Sequence, residues 1–386
     1  MNYESTLLYF VVCFFYGIFS NAQPGPILMN LNDGIGDIVI IDSTTNLTRV
    51  ALLKNHKNLS LNIRLSKIPV EFKDFVHTES LTITPPTDIE KLDVYFPNLK
   101  HLNIRRAKQK FITKKKFKLD SLQTLYIMDA ENLENIDGFL NCTALEKLII
   151  YRTPNLIQFS KFRKKNRIKE LVIDDGTTYR KKDTVKYLKE IGRLSKLEKL
   201  TLGNIYSITE IPSYLPTSIQ YLEVNSWAVY NRKTKLKSLK HLKKYINLKT
   251  LKLYNLELDT VKEKFTEITL EKLYLNRVHN LIDVSWIFTF AAIDYIMLYG
   301  CNEISIVHPR SNTSSISKID IRNLSNVTSI DALFNLNNLK SLEVRYCPKL
   351  ILPSTDIMYK TPHIMITGTG YHLFKENGVW EKIEYY

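Results

Sequence analysis

Apolar residues return in one spacing along most of this chain. In the stretch LKSLEVRYCPKL, Leu339, Leu342 and Val344 are followed at three-residue steps by Cys347 and Leu350. Alternation of period two between Leu342 and Val344 predicts a short strand with one apolar face, and the three-residue steps predict the chain turning out of its sheet. Aligning the equivalent position of each strand gives Leu102, Leu125, Leu148, Leu171, Leu200, Leu222, Leu251, Leu273, Ile296, Ile319 and Leu342. The successive steps are 23, 23, 23, 29, 22, 29, 22, 23, 23 and 23 residues. So regular a spacing means tandem coils, each burying its apolar side against its neighbours and none stable alone.

A second apolar pair follows many strands: Leu133 and Ile136, Leu156 and Phe159, Leu281 and Val284, Val327 and Ile330. These are expected to line the interior as the chain climbs away from the sheet. In the two longer units, Val185, Leu188, Ile191 and Leu194, and then Leu236, Leu239, Leu242 and Ile246, predict amphipathic helices on the outer side. The Pro-punctuated run from Ile211 to Pro216 predicts an extended outer side instead. Upstream, Asp37–Asp42, Leu59–Ile63 and Leu81–Ile83 read as short strands of degenerate coils. Past Leu350 the period stops, and His363–Ile366, then Asn377-Gly378 between Phe374 and Trp380, predict a last strand and a hairpin.

The L-x-x-L-x-V spacing, and the last full unit NVTSIDALFNLNNLKSL from Asn326 to Leu342, resemble the leucine-rich repeat family in its short 22–23-residue form. The resemblance covers roughly residues 99–350. It implies an α/β solenoid: a curved parallel β-sheet on the concave face, with short helices, 3₁₀ turns and extended segments on the convex side. It also implies binding rather than catalysis. One departure is the slot after the strand, where the family usually places Asn or Cys; here only Cys301 and Cys347 conform, beside Ala130, Thr153, Leu256, Val278 and Leu324. The expected organisation is a signal peptide at 1–22, an N-terminal cap with degenerate repeats at 23–98, the repeat array at 99–350 and a C-terminal cap at 351–386.

Composition refines this picture in two ways. A formal net charge of +15 on 386 residues points to acidic partners. The apolar run Leu7–Phe19, followed by Ser20-Asn21-Ala22, predicts a secretory leader cleaved after Ala22, although no Lys or Arg precedes it. No later run reaches membrane length, so no transmembrane segment is expected after cleavage. Cleavage also removes Cys13, leaving Cys142, Cys301 and Cys347, an odd set with no evident disulfide framework. Cys301 and Cys347 are expected as buried thiols two coils apart, and Cys142, on the convex path, as the more reactive one. Asn46, Asn58, Asn141, Asn312, Asn323 and Asn326 head N-glycosylation sequons.

Candidate chemistry is sparse. The His and Cys residues lack zinc spacings, Gly34-Ile-Gly36 and Gly368-Thr-Gly370 are lone glycine pairs, and no acid/base couple stands out. No enzyme activity, cofactor or metal is therefore expected. Residues alternating with the buried leucines should face the concave side. There, Lys252, Tyr254, Tyr274, Tyr295, Met297, Tyr299, Arg322 and Arg345 form a candidate protein-binding patch, joined by Lys272, Lys318, Asp320 and Glu343. Tyr suits such a patch because it offers apolar area and a hydroxyl at low entropy cost.

A second candidate is a basic stripe for anionic ligands, read on one long connection: Arg105, Arg106, Lys108, Lys110, Lys114, Lys115, Lys116 and Lys118, with Lys161 and Arg163–Lys165 one to two coils later. Another Lys run, from Lys233 to Lys244, is placed on the expected convex helix. The reading is a secreted protein that recognises another protein through its concave face. One alternative is an extracellular binder of sulfated or acidic glycans or anionic surfaces through the stripe; a further one is an intracellular adaptor, if the leader is retained. Nucleic acid is not an expected partner, since no nucleic-acid module is present.

Overall fold

The structure is a computed structural model. It describes residues 28–29 and 38–383 apart from 56–59, 66, 85–88, 109–115, 140, 154, 156–166, 175–188, 207, 227–233, 310–314, 352, 355, 359, 369–370 and 377–378. The leader residues, Asn58, Asn312, Lys110, Lys114, Lys115, Lys161 and Arg163–Lys165 lie outside the described residues.

Each apolar period becomes one strand, and the strands join into a single 18-stranded sheet. Its parallel part runs from Ile38–Ile41 through successive coils to His363–Gly368. The aligned residues stand side by side: Leu102 beside Leu125, Leu171 beside Leu200, Leu222 beside Leu251, Ile319 beside Leu342. The same row continues upstream through Leu81, Leu61 and Val39 and downstream to Ile364, so the faint early units adopt the same register. An antiparallel strand, Leu28–Met29, pairs at the start. Tyr371–Glu376 and Val379–Ile383 close the other end as an antiparallel meander.

Alternation decides which side each residue takes. The aligned row and the row two residues on, for example Leu273 with Leu275 and Leu342 with Val344, are buried. Each such side chain contributes roughly 1.5–3 kcal/mol by leaving water, which is why the spacing tolerates so little drift. Behind the sheet, aromatic rings fill the wider part of the coil: Phe117 lies 4.9 Å from Phe139, and Phe265 stacks on Phe290 at 4.8 Å.

At the strand exits the backbone turns through a left-handed residue. Arg106, Asp129, Arg152, Asn204, Asn255, Arg277, Gly300, Asn323 and Tyr346 have φ between 49° and 63°. The amide of each donates to a carbonyl at the end of the next strand, as Arg106 N does to Met128 O and Gly300 N to Arg322 O, both at 2.9 Å. The residue after each exit, such as Ala130, Thr153, Leu256, Cys301 or Cys347, is buried.

In the second longer unit the convex side differs from the expected amphipathic helix; Val185 and Leu188 of the first, like Leu156 and Phe159, lie outside the described residues. Described outer segments are mostly single 3₁₀ turns, among them Lys189–Arg193, Lys240–Lys244, Ser285–Thr289 and Asp331–Asn335. The Lys run from Lys233 onward contains the short strand Lys235–Leu236 and one such turn. The reason is the three-residue step itself, which matches the 3.0 residues per turn of a 3₁₀ helix and not 3.6. Leu239, Leu242, Tyr245 and Leu248 are all buried, and each of the last three donates its amide to the carbonyl of the one before it. Ile246, assigned to the buried face by the helical reading, is 59% exposed.

The cysteines are also corrected in part. All three described thiols are buried and unbridged. Cys142, expected to be the reactive one, is 6% exposed, and burial pushes its thiol up to about 12, as it does for Cys301. A thiol held neutral is a poor nucleophile. With a thiol reagent at pH 8, Cys142, Cys301 and Cys347 should each react at least tenfold more slowly in the native protein than in urea, with no fast phase belonging to Cys142.

Candidate functional site

The concave face is built from the positions that point away from the core. Across five adjacent strands, from Thr250–Tyr254 to Ser341–Arg345, these positions form three rows. One row reads Thr250, Lys272, Tyr295, Lys318 and Ser341; the middle one reads Lys252, Tyr274, Met297, Asp320 and Glu343. The third reads Tyr254, Asn276, Tyr299, Arg322 and Arg345. All eight residues singled out for this patch lie in these rows, and all are partly buried.

Their side chains pack into a connected surface. The Lys252 ammonium lies 5.0 Å from the Tyr274 ring centre, 5.2 Å from Tyr221 and 6.0 Å from Tyr254. Such distances place it within reach of all three ring faces, each contact contributing about 0.5–1 kcal/mol at a partly exposed site. Tyr274 meets Tyr295 edge to face at 5.6 Å, and Lys318 stands 5.6 Å from the Tyr295 ring. The Tyr295 hydroxyl donates to Asp320 Oδ2 at 3.2 Å. Asp320, whose side chain is 3% exposed, receives both Nε and Nη2 of Arg322, at 2.7 and 2.8 Å. Arg322 reaches on to Glu343 at 3.1 Å, and Arg345 pairs with the same carboxylate.

This packing sets the protonation states. Burial raises Tyr221, Tyr274 and Tyr295 above the ordinary phenol value; hydrogen bonding to Glu223 adds to the shift of Tyr221, and the charge of Asp320 to that of Tyr295. The hydrogen bond to Asp320 raises Arg322 further. Tyr221, Tyr274 and Tyr295 are thereby held in the neutral phenol form. Lys252, Lys272, Lys318, Arg322 and Arg345 against Asp320 and Glu343 make five cations to two anions on these rows, a net +3.

Tyr221 and Glu223 were missed. They face the same side on Tyr221–Asn225, which pairs with Thr250–Tyr254, and the Tyr221 hydroxyl donates to Glu223 at 2.5 Å. The alternation around Leu222, already aligned with Leu251, carried the signal, but the outward positions were followed only from Leu251 onward.

The basic stripe is not one group. Arg105 ends the strand His101–Arg105 beside Met128, so it belongs to the concave rows and not to the connection on which it was placed. Arg106 is a left-handed exit, and Lys108, Lys116 and Lys118 are exposed. Arg106, Lys108 and Arg152 line a depression of about 400 Å³ together with Asp129, Glu131 and Asn132, and Arg152 pairs with Asp129 at 2.6 Å. Cations interleaved with carboxylates in this way make a weak trap for an anion.

Among the sequons, exposed Asn46 caps the short helix Leu47–Ala51 through its side-chain oxygen. Asn326 donates its side-chain nitrogen to Asn302 O at 2.9 Å and accepts from Lys349. Asn141 is partly buried, and Asn323 is a strand exit.

No family model matches the chain, and no curated protein does. Among solved structures it is similar to an internalin from Listeria monocytogenes, with 15% identity over 86% of this chain and 80% of the other, at a TM-score of 0.42. It is also similar to a leucine-rich repeat protein of Leptospira interrogans, with 16% identity over 83% and 87% of the two chains, at a TM-score of 0.48. The chain's own coils decide the architecture, since strand, left-handed exit and buried return repeat every 22 or 23 residues through most of the array. The fold is a leucine-rich repeat solenoid. Among the described residues of this solenoid, no helix is long and apolar enough to cross a membrane.

Removing Arg322 would leave the buried Asp320 carboxylate without its bidentate partner. Arg322→Ala should cost about 2–4 kcal/mol in urea unfolding, and a second change, Asp320→Asn, should recover part of that loss in a double-mutant cycle.

Proposed function

We propose that this solenoid is a secreted recognition protein that binds another protein through the concave surface between Tyr221 and Arg345. The observation that carries the reading is the continuous packing of Tyr221, Lys252, Tyr274, Tyr295, Asp320, Arg322 and Glu343 across adjacent strands. Side chains already held by one another lose little freedom on binding, so contact area converts into affinity with a smaller entropic cost. Tyr and Arg are also the residues that most often anchor protein interfaces. The net positive rows favour a partner that is acidic at the contact. Glycan binding by the basic stripe has less support, because Arg105 faces the concave side and the neighbouring cations alternate with acids.

Capture from extracellular material of the native host, followed by binding measurements with the purified partner, tests this reading. Replacing Tyr254, Tyr274, Tyr295 and Tyr299 together by Ala should weaken binding at least a hundredfold. Changing the exposed Lys272 and Lys318 to Gln should mainly slow association and flatten its salt dependence. Unchanged affinity in the tyrosine variant would refute the concave reading.

Secretion rests on the apolar run Leu7–Phe19 with Ser20-Asn21-Ala22 behind it, and on the sequons. The mature N-terminus should be Gln23. Mass spectrometry of protein made in a glycosylating cell should find a glycan on Asn46, whose oxygen does the capping, and none on Asn326, whose nitrogen is committed to the preceding coil. An N-terminus at Met1 would overturn the secretory reading.

A further inference from the structure

Ile149 and Val172 stand side by side on adjacent strands and face away from the core. On the three outward rows of the described strands from Ser60–Ile63 to Ser341–Arg345, they are the only branched aliphatic side chains. Tyr126 flanks Ile149 on the same row, and Met128 and Tyr151 adjoin on the next. All five are partly buried, so each keeps some area in contact with water. The strand itself does not require an aliphatic residue here. Thr suits a strand as well, and Thr82, Thr201 and Thr250 fill other outward positions.

Charges border this platform on two sides, and they pair with one another. Lys147 meets Glu170 at 2.8 Å on one flanking row, and Arg152 meets Asp129 at 2.6 Å at the strand exits. The Arg152 guanidinium also lies 4.9 Å from the Tyr151 ring centre. Arg105 stands beside Met128, at the end away from the tyrosine patch. An apolar centre inside a polar rim is the anatomy of a protein-binding hot spot. Because the flanking pairs are already matched, they offer a partner little net charge, and the centre selects an apolar group.

The platform shares its rows with the tyrosine patch: Val172 is followed by Thr201, Glu223, Lys252 and Tyr274 on successive strands. Exposed Lys272 lies on the last of these strands, four spacings from Val172, or about 19 Å. We propose that the platform anchors a large apolar side chain of the same partner whose acidic residues meet Lys272 and Lys318, through an extended segment of that partner lying across the strands; this rests on the protein-binding reading of the concave face. One line joins the two contacts, and an extended chain covers it in about six residues at 3.3 Å each. The motif expected of the partner is therefore an aliphatic or aromatic residue about six positions from Asp or Glu. A second copy of this chain is a poor occupant, because its net charge of +15 brings like charge to the cationic rows.

The probe is a phage-displayed library of random twelve-residue peptides, selected on the whole mature chain. Enriched peptides should carry a large apolar residue about six positions from an acidic one. A synthetic copy of the leading peptide should bind the Ile149→Thr, Val172→Thr double variant at least tenfold more weakly, with its salt dependence unchanged. Changing Lys272 and Lys318 to Gln should flatten that salt dependence instead. Urea midpoints of the Thr variants should match wild type; if the double variant falls short, Val172→Thr alone, which keeps the side-chain shape, should still weaken binding about threefold. Acidic peptides without an apolar position, or equal affinity for the Thr variants, would overturn the platform and leave the tyrosine patch standing. Apolar peptides without acids would overturn the shared occupant, and no enrichment would overturn the extended segment.

Discussion

The solenoid depends on how each strand ends. A residue with φ near +55° costs about 1–2 kcal/mol when it carries a Cβ, yet Arg, Asp, Asn and Tyr occupy this conformation coil after coil. Each exit amide is paired to the end of the next strand, a bond contributing about 1 kcal/mol, so backbone strain and hydrogen bond nearly cancel. Burial of the following residue then decides the matter, and that residue need only be apolar or small. This explains why Ala130, Leu256 and Val278 serve in a slot where an Asn or Cys is usual: the exit amide is already satisfied by the neighbouring backbone. Cys301 uses the slot differently, with its sulfur accepting from Val278 N at 3.3 Å. It is a packing and hydrogen-bonding group and not a reactive centre.

Because the exits and the two buried rows fix the coil, the outward positions are less constrained in residue type than the buried ones. A chain that needed only solubility would fill them with scattered charges. Here they hold tyrosines packed against lysine and tyrosine, and a carboxylate gripped by arginine. Burying Asp320 behind Arg322 gains little stability relative to an apolar pair. Its more evident effect is geometric: it holds the guanidinium and, through the Tyr295 hydroxyl, the neighbouring ring in fixed places.

What was legible in the sequence follows from what is periodic. The eleven aligned residues are all buried, none more than 2% exposed, so their spacing is under direct energetic control and carries the register. The outer side was misread because Leu236, Leu239 and Leu242 fit two periods, and only the next member separates them: Tyr245 is buried and Ile246 is not. Arg105 was assigned to a connection because the strand's last outward residue looks, in sequence, like the first residue of a basic loop. Tyr221 was within reach of the sequence, since the alignment already set Leu222 beside Leu251, but the outward positions were followed only from Leu251 onward.

Regularity is also what makes the aromatic patch possible. From Leu251 to Leu342 the steps are 22, 23, 23 and 23, so each outward residue stands directly beside its counterpart at the strand spacing of about 4.8 Å. At that distance a tyrosine ring spans to the next coil, and a lysine stem reaches two. Contacts therefore run on without a gap from Lys252 through Tyr274 and Tyr295 to Asp320, Arg322 and Glu343. The same residues on a flexible loop would have to be ordered at the moment of binding, at about 0.5–1.5 kcal/mol for each long side chain. The stack orders them during folding, and the leucines on the opposite side of the sheet supply the free energy for it.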